Sequence, residues 1–359
     1  MPGNLYVHFP FCRSRCSYCT LYSRSGSTVS DREKYIRSLL DEFARRELNS
    51  LDGVSTVYFG GGSPALCDLR PVFSHLHCDS GAVDPSGLEF TVELHPSDVT
   101  EAKLRELRAG GVNRVSMGVQ SFDDRTLSDM GRGYTAAEAV EAFRMVGRYF
   151  DNIGIDLIVG YPGDSGERVR DRYLESFVEL GLRHCSVYSL QNERGLVGVP
   201  DDDAVLDSLQ KFTEKLSALG FARYEISNYS LPGYECRHNL AVWRGEDYLG
   251  VGEGACGRVG LTRTRGVRTS GGIGCTVEDV TRRFDLKERT LFRLRTREGI
   301  DCSEFPEWRS TLDRFAARGL LSTTAAFGNP DALSVSGKSV FFLTSRGAEV
   351  CDSILAELV

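Results

Sequence analysis

The sequence has no run of ~18 apolar residues, so no segment is long enough to cross a bilayer as a helix. It has no excess of cations: the net charge is −7, which gives no basis for broad electrostatic binding to nucleic acid or an anionic membrane. No low-complexity tract and no internal repeat is present. The stretch Met1–Pro10 leads directly into a strand-like pattern and lacks the layout of a signal peptide. A cytoplasmic protein is expected from these absences. What is there is globular: 359 residues, 41% hydrophobic and 26% charged, enough for one large domain and a smaller one.

Eleven cysteines, an odd number without a signal peptide, argue against a disulfide framework. Cys67, Cys78, Cys185, Cys275, Cys302 and Cys351 are scattered singly and read as small buried hydrophobes. Cys12, Cys16 and Cys19 fall within eight residues and read differently.

Short apolar runs alternate with amphipathic stretches. Strands are expected at Asn4–Phe9, Ser55–Phe59, Leu88–Leu94, Arg114–Val119, Asn152–Val159 and His184–Leu190. Helices are expected at Asp31–Leu48, Thr100–Ala109, Thr135–Tyr149, Arg168–Leu180 and over 204–220. Six such units in series imply a parallel sheet with right-handed crossovers, whose chemistry gathers at the carboxyl ends of the strands. The pattern changes after about Asp201. Helices at Lys287–Arg297, Cys302–Phe305 and Glu307–Arg318, short strands at Leu333–Val335 and Val340–Leu343, and a last helix from Arg346 resemble a winged-helix unit.

Cys12, Cys16 and Cys19 stand at Cys-x3-Cys-x2-Cys on a loop after a strand, where three thiolates can converge on one inorganic centre. Soft thiolates select zinc or iron–sulfur. A structural zinc site needs a fourth ligand, and Thr20, Leu21 and Tyr22 supply none. Three ligands around a four-iron cluster leave one iron open. Arg13 and Arg15 add positive charge that favours thiolate. Gly60-Gly61-Gly62-Ser63-Pro64 follows the next strand; a backbone without side chains there can approach a ligand closely.

This spacing and turn resemble the radical S-adenosylmethionine (SAM) superfamily, in which the open iron of a 4Fe–4S cluster chelates the methionine part of SAM. Longer stretches narrow the resemblance: Tyr6-Val7-His8-Phe9-Pro10-Phe11-Cys12, Tyr58-Phe59-Gly60-Gly61-Gly62-Ser63-Pro64, Gly111 to Phe122, Met130-Gly131-Arg132, Asp156 to Gly163, Tyr224 to Tyr229, and His238-Asn239-Leu240. Together these resemble the oxygen-independent coproporphyrinogen III oxidase group, and within it the haem chaperones called HemW. The resemblance implies an α/β fold, a partial (β/α)6 TIM-like barrel with a small C-terminal helical, winged-helix-like domain. It implies a core domain over 1–235, a linking segment over 236–285 and the helical domain over 286–359.

By the same resemblance Cys12, Cys16 and Cys19 hold the cluster, and SAM contacts fall on Tyr6, Tyr18, Gly61, Gly62, Ser63, Glu93, Gln120, Arg132, Asp156 and Leu190. Reductive cleavage of SAM to a 5′-deoxyadenosyl radical is the chemistry such a site supports. Two features favour a chaperone that binds haem and passes it to acceptor proteins. Leu21 stands where the oxidases carry an extra cysteine, and only 11 residues precede Cys12. His238 and Trp243 lie in a segment similar to the group's haem-linked motif, and a histidine or a cysteine thiolate can ligate haem iron.

The sequence departs from that group at Val242 (tyrosine), and at Cys256 and Tyr134 (both histidine), which makes Cys256 a second candidate haem ligand. Arg258, Arg263, Arg265 and Arg268 read first as a solvated loop, with contact to tetrapyrrole propionates as the functional alternative. An electron donor such as flavodoxin or ferredoxin is the implied redox partner. The competing activities are decarboxylation of coproporphyrinogen III and, more remotely, a structural zinc role.

Overall fold

The computed structural model describes residues 2–78, 87–163, 167–323 and 340–359. Six strands, β1 (Asn4–Phe9), β2 (Thr56–Gly61), β3 (Glu89–Leu94), β4 (Arg114–Gln120), β5 (Asn152–Val159) and β6 (His184–Ser189), lie side by side in chain order, all parallel. Leu249–Val251 extends the β1 edge in parallel, and the short strands Asn228–Ser230 and Ala222–Arg223 extend the β6 edge. The sheet therefore has two ends and forms a partial barrel rather than a closed one.

The strands alternate strictly, and the alternation explains the layers. Leu5, Val7, Val57, Phe59, Phe90 and Val92 point outward and are buried in the main core under the helices. The opposite positions, Asn4, Tyr6, Thr56, Tyr58, Thr91 and Glu93 among them, point into the barrel and are polar. An ordinary barrel fills its interior with Val, Ile and Leu; this lumen is built for polar contacts.

Helices start where side-chain caps allow. Thr28 and Asp31 form a reciprocal capping box that opens the helix Val29–Arg45, two residues earlier than expected, and Glu47 at φ +57° ends the helical path early. Thr100, Thr135 and Asp201 cap Glu101–Ala109, Ala136–Val146 and Asp202–Ala218. Two short helices, Arg70–His75 and Asp124–Met130, were not apparent in the periodicity.

The chain divides into two compact units. One comprises 1–222, 229–238 and 247–279; the other comprises 223–228, 239–246 and 280–359. Residues 236–285, expected as a linking segment, thus contribute to both. In the first unit, Cys256–Val259, Thr262–Thr269 and Gly272–Asp279 form an antiparallel three-stranded sheet. This corrects the solvated-loop reading of the arginine stretch: Arg258 is buried, with its guanidinium 5.8 Å from the Tyr248 ring centre. The run Thr-Arg-Thr-Arg-Gly-Val-Arg-Thr lacks an apolar face, so its strand character was hidden.

The second unit has helices Arg282–Leu294, Arg309–Ala317, Ser345–Glu349 and Cys351–Ala356, with a small antiparallel sheet of Ile300–Asp301, Val340–Leu343 and Leu321–Thr323. Its core is its own, built on Leu294, Phe305, Trp308, Leu312 and Phe341. Cys302–Phe305 is not a helix. Pro306 disfavours helical backbone at the preceding residue, and Phe305 stacks on Trp308 at 4.3 Å instead. The expected strand Leu333–Val335 lies outside the described residues.

Of the scattered cysteines, Cys67, Cys78, Cys185 and Cys351 are buried as expected, whereas Cys302 is half-buried and Cys275 is exposed. No helix among the described residues is long and apolar enough to cross a membrane.

Candidate functional site

The loop after β1 carries the three thiols. Its base is closed by parallel pairing of Phe11 with Arg24 and Cys12 with Ser25. Several groups fix its course. Arg13 pairs with the buried carboxylate of Asp98. Ser14 Oγ donates to the Gly131 carbonyl (3.1 Å), the Ser17 amide to the Met130 carbonyl (3.1 Å), and Arg194 Nη1 to the Cys19 carbonyl (2.9 Å). Cys12, Cys16 and Cys19 are free thiols, each half-buried.

Partial burial pushes the Cys12 and Cys19 thiols up, and the neighbouring loop thiols add to the shift while Arg132 opposes it. Three half-buried thiols on one loop, one of them touching a guanidinium, suit a centre that takes thiolates and shares their charge. Among the described residues, no three His, Cys, Asp or Glu side chains are grouped tightly enough to hold a single metal ion.

The glycine turn packs against this loop. Gly62 N donates to the Phe9 carbonyl at 2.8 Å and Ser63 N to the Phe11 carbonyl at 2.7 Å. Gly61 takes φ +105°, and a Cβ there would run into the His8 ring; one at Gly62 would run into the Phe11 carbonyl. Ser63 Oγ donates to Asp98, the same carboxylate that pairs with Arg13.

Two half-buried carboxyls face the lumen, Glu93 near the carboxyl end of β3 and Asp156 midway along β5. Glu93 accepts from Tyr58 Oη at 2.8 Å and Gly61 N at 3.1 Å; burial, then the charge of Asp156, pushes it up to about 7. Asp156 is also pushed up by burial, against the help of Ser186 and Arg114, and accepts from Ser116 Oγ at 3.2 Å. Two high-lying carboxyls in a polar lumen are poised to take a cationic ligand.

Gln120, at the end of β4, adopts φ +71° beside a bulge in the β4–β5 pairing, a strained geometry for a residue with a side chain. Arg132 is buried and forked: Nε donates to Tyr134 Oη at 3.0 Å, Nη1 to Cys16 Sγ at 3.4 Å, and Nη2 to the Gly118 carbonyl. Tyr18 and Leu190 meet in a small apolar cluster with Met130, Ile158 and Tyr161. Tyr6 Oη bonds His8 Nδ1 at 2.9 Å. Its hydroxyl is pushed well up by burial, with further contributions from Glu93 and Cys256. Gly250, the strand partner of Tyr6, packs directly on the Cys256 carbonyl.

The haem candidates differ in setting. Cys256 is exposed at the start of its strand, opposite Arg265. His238 lies at the floor of the lumen: its amide donates to Glu89 at 2.9 Å and its Nδ1 meets Thr56 Oγ1 at 2.8 Å. The single Thr56 hydroxyl proton goes to Asn4 Oδ1, so His238 Nδ1 carries the hydrogen. Burial, with the Arg114 cation next, pushes its pKa down to about 3. Trp243 belongs to the second unit, edge-on to Phe292 at 5.7 Å and under the Arg295 guanidinium at 4.8 Å.

Sequence reasoning passed over several lumen residues. Tyr58 and Arg114 share the inward parity of Glu93 and Ser116, so alternation alone could have found them. Asp98 and Glu253 could not be found so, because each acts through a turn remote from the cysteines.

The radical SAM superfamily profile matches residues 6–174. The chain is 36% identical over 270 residues to the heme chaperone HemW of Lactococcus lactis, covering 71% of this chain and 69% of that protein. It is 29% identical over 384 residues to the HemW of Bacillus subtilis, covering 98% and 99%. Among solved structures, coproporphyrinogen III oxidase (HemN) of Escherichia coli, a radical SAM enzyme, superposes with a TM-score of 0.80 at 20% identity, over 99% of this chain and 90% of that one. At that identity the likeness speaks for the fold.

Proposed function

The chain belongs to the HemW haem-chaperone family of radical SAM proteins, and from that premise we propose that it binds haem in the cytoplasm and hands it to acceptor proteins. Its resident cofactors are those of the superfamily, a 4Fe–4S cluster and SAM. Cys12, Cys16 and Cys19 would hold the cluster. With both groups bound and a flavodoxin- or ferredoxin-like donor present, the chemistry supplied is one-electron reduction of SAM.

The chain's own residues bind and orient. Glu93 and Asp156 take the ammonium and ribose hydroxyls of SAM, while Gly61 and Gly62 offer backbone at close range and Ser63 braces the turn through Asp98. Arg132 faces the carboxylate, Gln120 and Tyr6 complete the polar wall, and Tyr18 and Leu190 form the apolar one.

The observation that carries the haem reading is the exposed thiol of Cys256, whose backbone packs on Gly250, the strand partner of Tyr6, with Arg265 directly across the strand pair. Thiolate is an established type of haem ligand, and a guanidinium suits a propionate. This placement favours Cys256 over the floor-bound His238 as the iron ligand.

The test is anaerobic haem titration of cluster-reconstituted protein, followed at the Soret band. The expected result is saturable binding at about one haem per chain, lost in Cys256→Ala and kept in His238→Ala. No binding at micromolar haem, together with conversion of coproporphyrinogen III to protoporphyrinogen IX, would replace the chaperone reading with the oxidase one.

A further inference from the structure

The cysteine loop and the Cys256 strand are far apart in sequence, and one buried carboxylate lies between them. Glu253 accepts from Tyr22 Oη at 3.0 Å and pairs with the Arg24 guanidinium at 3.2 Å. Tyr22 follows Cys19 by three residues, and Arg24 is registered with Phe11 at the base of the loop. Glu253 N donates to Tyr35 Oη (3.2 Å), which donates to the His8 carbonyl (2.6 Å). The His8 ring in turn donates from Nε2 to the Tyr22 carbonyl at 2.8 Å, since a carbonyl can only accept.

The backbone on either side of Glu253 has no slack. Gly252 and Gly254 take φ +103° and +87°. A Cβ at Gly252 would stand 2.6 Å from Tyr35 Oη, and one at Gly254 would stand 2.7 Å from the Tyr22 ring. Onward to Cys256 the turn is tied by Gly254 N to the Gly266 carbonyl (2.9 Å) and by Gly266 N to the Ala255 carbonyl (2.8 Å). Shifting Tyr22 and Arg24 without moving this turn would leave a buried carboxylate unpaired, which is strongly unfavourable.

We propose that Glu253 is a positioning residue that couples the cysteine loop to the Cys256 strand, so that loading the cluster site and engaging Cys256 are energetically linked. The haem reading above supplies the identity of the ligand at Cys256, and the coupling itself can be read without it. Linkage is reciprocal: whatever factor the loaded loop exerts on haem affinity, bound haem exerts on SAM affinity.

The experiment is peptide-resolved alkylation of Cys256 by N-ethylmaleimide in the full chain, without cluster, with cluster, and with cluster plus SAM. Haem titrations are run in the same three states. The expected result is a change of at least about fivefold in Cys256 alkylation rate on loading, falling to less than about twofold in Glu253→Gln. A purely structural Glu253 would change the rates in all states alike and leave their ratio intact.

If Glu253→Gln does not fold by circular dichroism, Tyr22→Phe, which removes one bond to Glu253 without adding atoms, is read in its place. Equal rates in the unloaded and loaded wild-type protein, or a ratio unaltered in the folded variant, would overturn the coupling even if haem binds. A ratio that collapses in the variant while haem fails to bind would sustain the coupling and remove the haem reading.

Discussion

The guanidinium of Arg132 reaches the sulfur of Cys16 at 3.4 Å while its other nitrogens hold the Tyr134 hydroxyl and the Gly118 carbonyl. One side chain from the loop after Met130 therefore holds the sulfur of Cys16 and anchors the end of β4 at once. Arg132→Met should lower iron and sulfide content after reconstitution and reduce stability by about 2–4 kcal/mol, because three acceptors lose a charged donor. Arg132→Lys keeps the cation but not the fork, so it should recover iron content and leave part of the stability loss. Iron and sulfide assays with urea unfolding check both. Full iron content in Arg132→Met would rule out a role at the thiolate.

Glu93 governs a pH dependence whose sign follows from its environment. Its carboxyl titrates at about 7 in the folded chain against an ordinary value of 4.5. Between these values the folded state keeps a proton that the unfolded chain has released, so stability falls as pH rises through that window and levels off above it. The fall is about 3 kcal/mol for Glu93, and Asp156, also raised, acts in the same direction. SAM binding should run the other way. A bound ammonium favours the carboxylate, so affinity rises with pH, by up to about tenfold per unit, until about pH 7. Glu93→Gln should flatten both curves; urea midpoints and SAM calorimetry at about pH 5.5 and about pH 8 measure them.

The barrel was legible because its strands carry two messages at once. In Glu-Phe-Thr-Val-Glu-Leu the outward Phe90 and Val92 mark a buried strand, and the inward Glu93 marks a functional lumen. The cysteine spacing and the glycine turn were local signals as well. The supports were harder to read, because they depend on tertiary placement. Asp98 earns its role by receiving both Ser63 and Arg13 from other segments, and Glu253 by reaching Tyr22 and Arg24 across more than two hundred residues of sequence. The arginine-bearing strand Thr262–Thr269 was missed for a different reason: both of its faces are polar, so alternation had nothing to report.

Gly62 and Gly26 separate close packing from backbone conformation alone. A Cβ on Gly62 would overlap the Phe11 carbonyl, so Gly62→Ala must push the cysteine loop away from the turn. It should cost about 1–3 kcal/mol and reduce the iron retained per chain. Gly26, at φ +73°, has nothing within 4 Å of the added carbon, so Gly26→Ala should cost only about 1 kcal/mol of conformational strain and keep its iron. Equal iron loss in the two variants would show that the loop tolerates no substitution anywhere, and the specific contact would lose its meaning.

His238 offers the sharpest contrast between a ligand and a structural histidine. Its Nδ1–H donates to Thr56 Oγ1, its ring lies 5.2 Å from that of Tyr58, and its amide is capped by Glu89. His238→Ala should therefore lower stability by about 2–4 kcal/mol through a cavity and a lost hydrogen bond, with the Soret spectrum of the haem complex unchanged. His238→Asn places an amide N–H near the position of the imidazole Nδ1–H and should recover much of that loss, whereas His238→Leu, of similar size without a donor, should recover less. Urea unfolding orders the three variants, and haem titration runs beside it. A Soret shift in all three, with stability unaffected, would make His238 the iron ligand and return Cys256 to a bystander.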